Sequence, residues 1–140
     1  MTAPTERPPR PAPVVTQDSS FFWEAALQGR LVIQRCAACG VLRHPPRPMC
    51  PHCGATAWDV IDSAGRGEVY SYGLLHHPQH PAFDYPVISV IVALDEGTRL
   101  VSQLVDIAPE DVRIGLRVQV RFVPAAHDTA VPVFTPEAAS

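Results

Sequence analysis

The chain has 140 residues, a formal charge of -3 at pH 7, 46% apolar residues and no lysine. That length suits one compact domain with a small module, and the charge gives no strong pull toward nucleic acid or anionic lipid. The lack of lysine removes Schiff-base nucleophiles and the usual anchor for pyridoxal phosphate. The longest apolar run, Pro86 to Leu94, falls well short of the roughly 20 residues a membrane helix needs. Met1 to Pro13 has no apolar leader segment, so the cytoplasm is the expected compartment.

Residues 1–17 carry five prolines and two arginines with almost no large apolar groups. They read as a disordered Pro-rich tail. A helix is expected over about 20–28, with Ser20 as cap, Glu24 in its first turn and Gly29 as its stop. Its Phe21, Phe22, Trp23, Ala25, Ala26 and Leu27 are apolar nearly all round, more than one buried stripe of a short helix requires. Part of that surface must be covered, either by the chain's own sheet or by another protein, and Phe21, Phe22 and Trp23 are the candidate partner interface.

Arg30 to Arg35 reads as a short strand entering a cysteine-rich ribbon that runs to about residue 60. Beyond it five short strands are expected, at 67–75, 87–94, 99–106, 116–123 and 131–134. Asp95-Glu96-Gly97 is a tight hairpin turn, and Pro109-Glu110-Asp111 one helical turn. The fold class is therefore mainly β, with an N-terminal helix, a rubredoxin-like zinc ribbon and a five-stranded OB-fold barrel. The expected divisions are 18–60 for helix and ribbon, 61–136 for the barrel and 137–140 for a short tail.

Cys36-Ala37-Ala38-Cys39-Gly40 and Cys50-Pro51-His52-Cys53-Gly54 each present two sulfurs from one tight turn. Four thiolates at this spacing suit one tetrahedral zinc ion, and reducing conditions favour ligation over disulfides. The ribbon has hardly any apolar core of its own, and zinc contributes on the order of 10 kcal/mol to folding such modules. With all four positions filled by sulfur, no site is left for water or substrate, so the ion is structural and no thiol is left as a nucleophile. Iron in the same cage would give a one-electron carrier, the rubredoxin alternative.

No other cluster makes a comparable case. His52 and His44 are expected at the surface, and His76, His77 and His80 in a proline-rich polar loop with no acid among them. Gly65-Arg66-Gly67 lacks the third glycine of a dinucleotide fingerprint and reads as a turn into the first barrel strand. Arg30, Arg35, Arg43 and Arg47 gather around the ribbon, where guanidinium groups either are solvated or bind the phosphates of a nucleotide-bearing ligand. A nucleic-acid-binding ribbon and barrel is the alternative function, opposed by the charge balance.

The order of Phe22-Trp23, Gly29-Arg30-Leu31, the two cysteine pairs, Pro45-Pro46-Arg47, Gly65-Arg66-Gly67, Tyr70-Ser71-Tyr72, Leu94 to Gly97, Arg99-Leu100, Gly115 and Val118 resembles domain-of-unknown-function family thirty-five. The resemblance runs from about Phe21 to Pro136. It implies a non-catalytic partner of thiolase-fold enzymes, such as thiolases, HMG-CoA synthase-like enzymes or steroid side-chain aldolases. By that resemblance the aromatic helix and ribbon contact the enzyme and the barrel helps to form an acyl-CoA channel, with Arg43, Arg47 and Arg66 as possible CoA phosphate contacts. Some relatives are fused to hydratase-like domains, whereas here the partner is expected to bind in trans.

Overall fold

The structure, a computed structural model, describes residues 7–137. The outermost parts of the two expected tails, 1–6 and 138–140, lie outside the described residues.

Helix α1 spans Ser20–Leu27. The residue before it, Ser19, is the cap, and its side chain turns back to the Thr16 amide (3.0 Å) instead of satisfying the helix. At the other end the amides of Gly29 and Arg30 close on the carbonyls of Ala26 and Ala25. The apolar sequence of α1 resolves into one inward face, Phe22, Ala25 and Ala26, all buried against the chain itself. Trp23 and Phe21 flank it at the edge of the core.

Three strands form the ribbon sheet: β1 (Val32–Cys36), β2 (Leu42–Arg43) and β3 (Trp58–Asp62), in the order β2-β1-β3, all antiparallel. β3 pairs with β1 as far as Asp62 opposite Val32, so the ribbon sheet runs slightly past residue 60. Five strands close the barrel: β4 (Arg66–Leu75), β5 (Val87–Leu94), β6 (Arg99–Leu104), β7 (Arg117–Ala125) and β8 (Thr129–Pro136), in the order β4-β5-β6-β8-β7. β7 returns to pair with β4, and β6 meets β8 in parallel at Leu104 and Phe134. This closed five-strand path is the arrangement of an OB-fold.

The strands alternate as half-buried β-structure should. β5 turns Ile88, Val90, Val92 and Leu94 inward, where they meet Val69, Leu100, Leu104, Val118 and Phe134. Phe22 of α1 and Leu31 and Ile33 from the start of the ribbon join the same cluster. Helix, ribbon base and barrel thus share one core.

The expected turns are present. Gly97 N–H donates to the Leu94 carbonyl at 2.8 Å, and Pro109–Asp111 is a single 3-10 turn. β7 and β8 extend further than the sequence pattern suggested, to a tight hairpin in which His127 and Asp128 both adopt positive φ. Residues 7–17 have no regular secondary structure, yet part of this segment lies on the barrel. Arg10 donates to Gln103 Oε1 (2.7 Å), its carbonyl accepts from Ala126 N–H (2.8 Å), and Arg7 pairs with Asp84.

Candidate metal centre and neighbouring surfaces

β1 delivers Cys36 at its last residue, and the chain then makes two matching turns. Gly40 N–H donates to the Cys36 carbonyl and Gly54 N–H to the Cys50 carbonyl, both at 2.9 Å. Gly40 and Gly54 have φ of 78° and 79°, a conformation that side-chain-bearing residues rarely adopt, and the reversal lets each turn aim both its sulfurs at one point. All four ligand atoms lie within 4.8 Å of one another. Cys36 Sγ is 3.5 Å from Cys53 Sγ, and Cys39 Sγ is 3.7 Å from Cys50 Sγ.

A tetrahedral ion with bonds of about 2.3 Å holds its sulfurs about 3.8 Å apart. A disulfide needs about 2.05 Å. The spacing fits zinc and excludes a bridge. Backbone amides lower two of the thiols: the Cys39 N–H, 3.4 Å from Cys36 Sγ, holds that thiol down at about 6, and the Cys53 amide lowers Cys50 in the same way, while burial and the facing sulfurs push Cys39 and Cys53 up. Cys36 and Cys50 are the buried pair, Cys39 and Cys53 the exposed one. The four cysteines are therefore the site of one structural zinc ion. Among the described residues no other group of three or more histidine, cysteine or acidic side chains converges in this way.

His52 is exposed, as expected, and so are His76 and His77. His44, expected at the surface, is half-buried. Its ring lies 5.4 Å from that of Phe22, and burial pushes it below the usual imidazole range. His80 accepts the Ala82 amide on Nδ1 and ties the loop after β4 to itself.

The three arginines singled out for phosphate contacts have different surroundings. Arg43 is only 5% exposed, because its Nε and Nη2 both donate to the Arg47 carbonyl (3.1 and 2.9 Å), which Gln34 also reaches. The ribbon tip is pinned by this network. Arg47 itself is exposed, while Arg66 lies in the β4–β7 seam and pairs with Glu137 at 3.4 Å. Gly65-Arg66-Gly67 is a close-packing element: a Cβ on Gly67 would strike the Ala93 carbonyl, and one on Gly65 the Val120 side chain.

The candidate interface also divides. Phe22 belongs to the core and is withdrawn from it, because the barrel and His44 cover its ring. Phe21 remains at the edge, tilted against Trp58 with ring centroids 4.6 Å apart, and Trp23 lines an apolar cleft of about 480 Å³ with Leu100, Val101 and Pro132. A second exposed apolar group was not singled out from the sequence: Tyr70, Tyr72 and Leu74 of β4 are each at least 40% exposed, with Tyr70 in the bulge between Val69 and Ser71 and with Tyr72 and Leu74 opposite Val90 and Ile88. The available signal was the Tyr70-Ser71-Tyr72 run itself.

A zinc ribbon on the base of a closed OB barrel defines the class of protein. Residues 23–59 match the family described as "ChsH2, rubredoxin-like zinc ribbon domain" and residues 60–123 that described as "ChsH2, C-terminal OB-fold domain". A "DUF35 domain-containing scaffold protein" of Methanocaldococcus jannaschii is 38% identical over 66% of this chain and 67% of its own length. The chain belongs to this DUF35, or ChsH2-type, family.

A solved structure described as "Ltp2-ChsH2(DUF35) aldolase" superposes with a TM-score of 0.85 and 53% identity, over 89% of this chain and 98% of that one. A "Probable enoyl-CoA hydratase alpha subunit" of Thermomonospora curvata is 52% identical over 96% of this chain, which spans 43% of that protein's length. A DUF35 protein from Sulfolobus solfataricus, 16% identical with a TM-score of 0.60, shares the fold.

Proposed function

We propose that this chain is a non-catalytic, zinc-stapled subunit that binds a thiolase-fold enzyme and supports its handling of acyl-CoA. The partner is a thiolase, an HMG-CoA synthase-like enzyme or a steroid side-chain aldolase. The observation that carries this reading is the near-complete correspondence with the ChsH2(DUF35) chain of an aldolase whose description pairs it with Ltp2. The scaffold name borne by archaeal relatives points the same way.

The site chemistry agrees. Four thiolates saturate the one metal centre, so the ion offers no position to a reactant. A reducing cytoplasm suits such a site. Docking would use the Phe21–Trp58 pair at the junction of α1 and β3, where two aromatic rings are only partly covered. Steroid-acyl chemistry is the preferred class, since a 34% identical relative in Mycobacterium tuberculosis is named "3-oxo-4,17-pregnadiene-20-carboxyl-CoA hydratase alpha subunit".

The direct test is co-expression of this chain, untagged, with a tagged thiolase-fold protein encoded beside its gene. A complex that survives size-exclusion chromatography is expected, weakened by Phe21→Ala and Trp58→Ala. Recovery of two separate species from that experiment would refute the reading.

A further inference from the structure

We propose that the cleft between the ribbon tip and the β5–β6 turn binds the phosphate groups of a nucleotide-bearing thioester, with Arg43, Arg47, Thr98 and Arg99 as its donors. This deepens the acyl-CoA reading and rests on it for the identity of the ligand.

The cleft measures about 360 Å³ and is walled by residues of the ribbon tip, from Leu42 to Pro45 with Arg47 and Pro51, on one side and Gly97 to Arg99 on the other, with no acidic residue in its lining. That is unusual in this chain. Of its 11 basic residues, all arginine, Arg7, Arg30, Arg35, Arg66, Arg117 and Arg121 are each paired with a carboxylate. The other five make no such pair among the described residues: Arg10, which donates to Gln103, Arg113, and Arg43, Arg47 and Arg99, the last three of which line this one cleft.

Two buried polar atoms in the cleft wall are also unpartnered. Arg43 commits Nε and Nη2 to the Arg47 carbonyl and leaves Nη1 without an acceptor, and Thr98 Oγ1 has no partner either. Buried donors, above all charged ones, are rarely left so, because each forfeits its hydration. An oxyanion seated between the ribbon tip and the turn would satisfy both. Arg99 is held ready for it: its guanidinium carbon lies 3.8 Å from the centroid of the Tyr70 ring, which fixes the plane and leaves its N–H edges free.

The adjoining space selects the kind of phosphate compound. His44 and Pro45 wall this cleft on one side and the apolar cleft of Trp23, Leu100 and Val101 on the other. Trp23 Nε1, a third buried donor without a partner, lies at that apolar end. A cationic end beside an apolar one with a single N–H donor matches a ligand that carries phosphates on one end and a long, mostly apolar arm with amide carbonyls on the other. A free nucleotide would fill only half of it.

The test is an NMR titration of the full, zinc-loaded chain with CoA, pyrophosphate and pantetheine in turn. CoA is expected to shift the amides of 43–47 and 97–99 together with the Trp23 indole, pyrophosphate only the former, and added salt to weaken both. Arg47→Ala and Arg99→Ala should each weaken CoA about tenfold, the scale of a lost charge-assisted contact. Thr98→Val keeps the shape of the wall and removes only an unpartnered hydroxyl, so it should weaken CoA while leaving the thermal midpoint unchanged or higher.

CoA shifts that are absent at these positions, or that persist undiminished in Arg47→Ala and Arg99→Ala, would overturn the site. Binding of pyrophosphate with a silent Trp23 indole in CoA would also overturn it, as a general anion patch. Loss of the cleft with an intact thiolase-fold complex refutes the site alone. Loss of the complex with an intact cleft refutes the docking instead.

Discussion

The barrel holds Val69, Val90, Val92, Val118 and Phe134 at 1% exposure or less, whereas the ribbon between Cys36 and Trp58 buries only Cys36, Arg43 and Cys50. One region is ordered by apolar burial, the other by four metal–sulfur bonds and one guanidinium on a carbonyl. A region with no core of its own keeps its shape only while its ligands converge.

The sharpest way to separate the two regions is to remove one ligand. Cys50→Ser should reduce zinc from about one ion per chain to near none, with loss of amide dispersion over 36–58 and retention of the barrel signals. Metal analysis and a proton–nitrogen correlation spectrum give the answer. Full zinc content with native ribbon shifts would sink the assignment of the site.

The converse variant is Phe134→Ala, at the parallel meeting of β6 and β8. It should cost about 3–5 kcal/mol in urea unfolding, since a fully buried ring leaves a cavity. Whatever chain remains folded should keep its zinc. Gly67→Ala is the next in size: its Cβ would meet the Ala93 carbonyl between paired strands, and a loss of about 1–3 kcal/mol is expected. An unchanged unfolding midpoint would show that β4 and β5 can move apart freely at that point.

The smallest effect sits on the seam between the regions. Burial depresses His44 below its ordinary 6.5, so the unfolded chain binds a proton more readily than the folded one. Stability from this group is complete above about pH 6.5 and declines as the pH falls toward the folded value. Denaturant midpoints of His44→Gln and the parent, both zinc-loaded, should therefore converge as the pH drops from 7.5 to 5.5. Parallel curves would mean that His44 does not titrate between the two states.

Much of this was legible in the sequence. The two C-x-x-C-G turns state their chemistry locally, because ligand type and spacing suffice, and β5 declares itself by a β-branched run. What the sequence hid depends on which face a residue turns inward. Arg43 and His44 sit in a polar, proline-rich stretch that reads as solvent-exposed, yet the ribbon folds them under α1 and against the barrel. The aromatic helix hid its own resolution for the same reason: eight residues pack by one face, and only the fold shows that the face is Phe22, Ala25 and Ala26. The contact of Arg10 with Gln103 joins positions 93 residues apart, and no local pattern encodes it.

The central claim, that the chemistry resides on another protein and the zinc ribbon keeps a docking surface in shape, is tested most directly by turnover. The thiolase-fold partner should be assayed with its acyl-CoA substrate alone, with this chain, and with its Cys50→Ser variant. The account predicts activity only with the zinc-loaded parent chain, and none for this chain by itself. Equal activity in all three mixtures, or turnover by this chain in the absence of a partner, would contradict it.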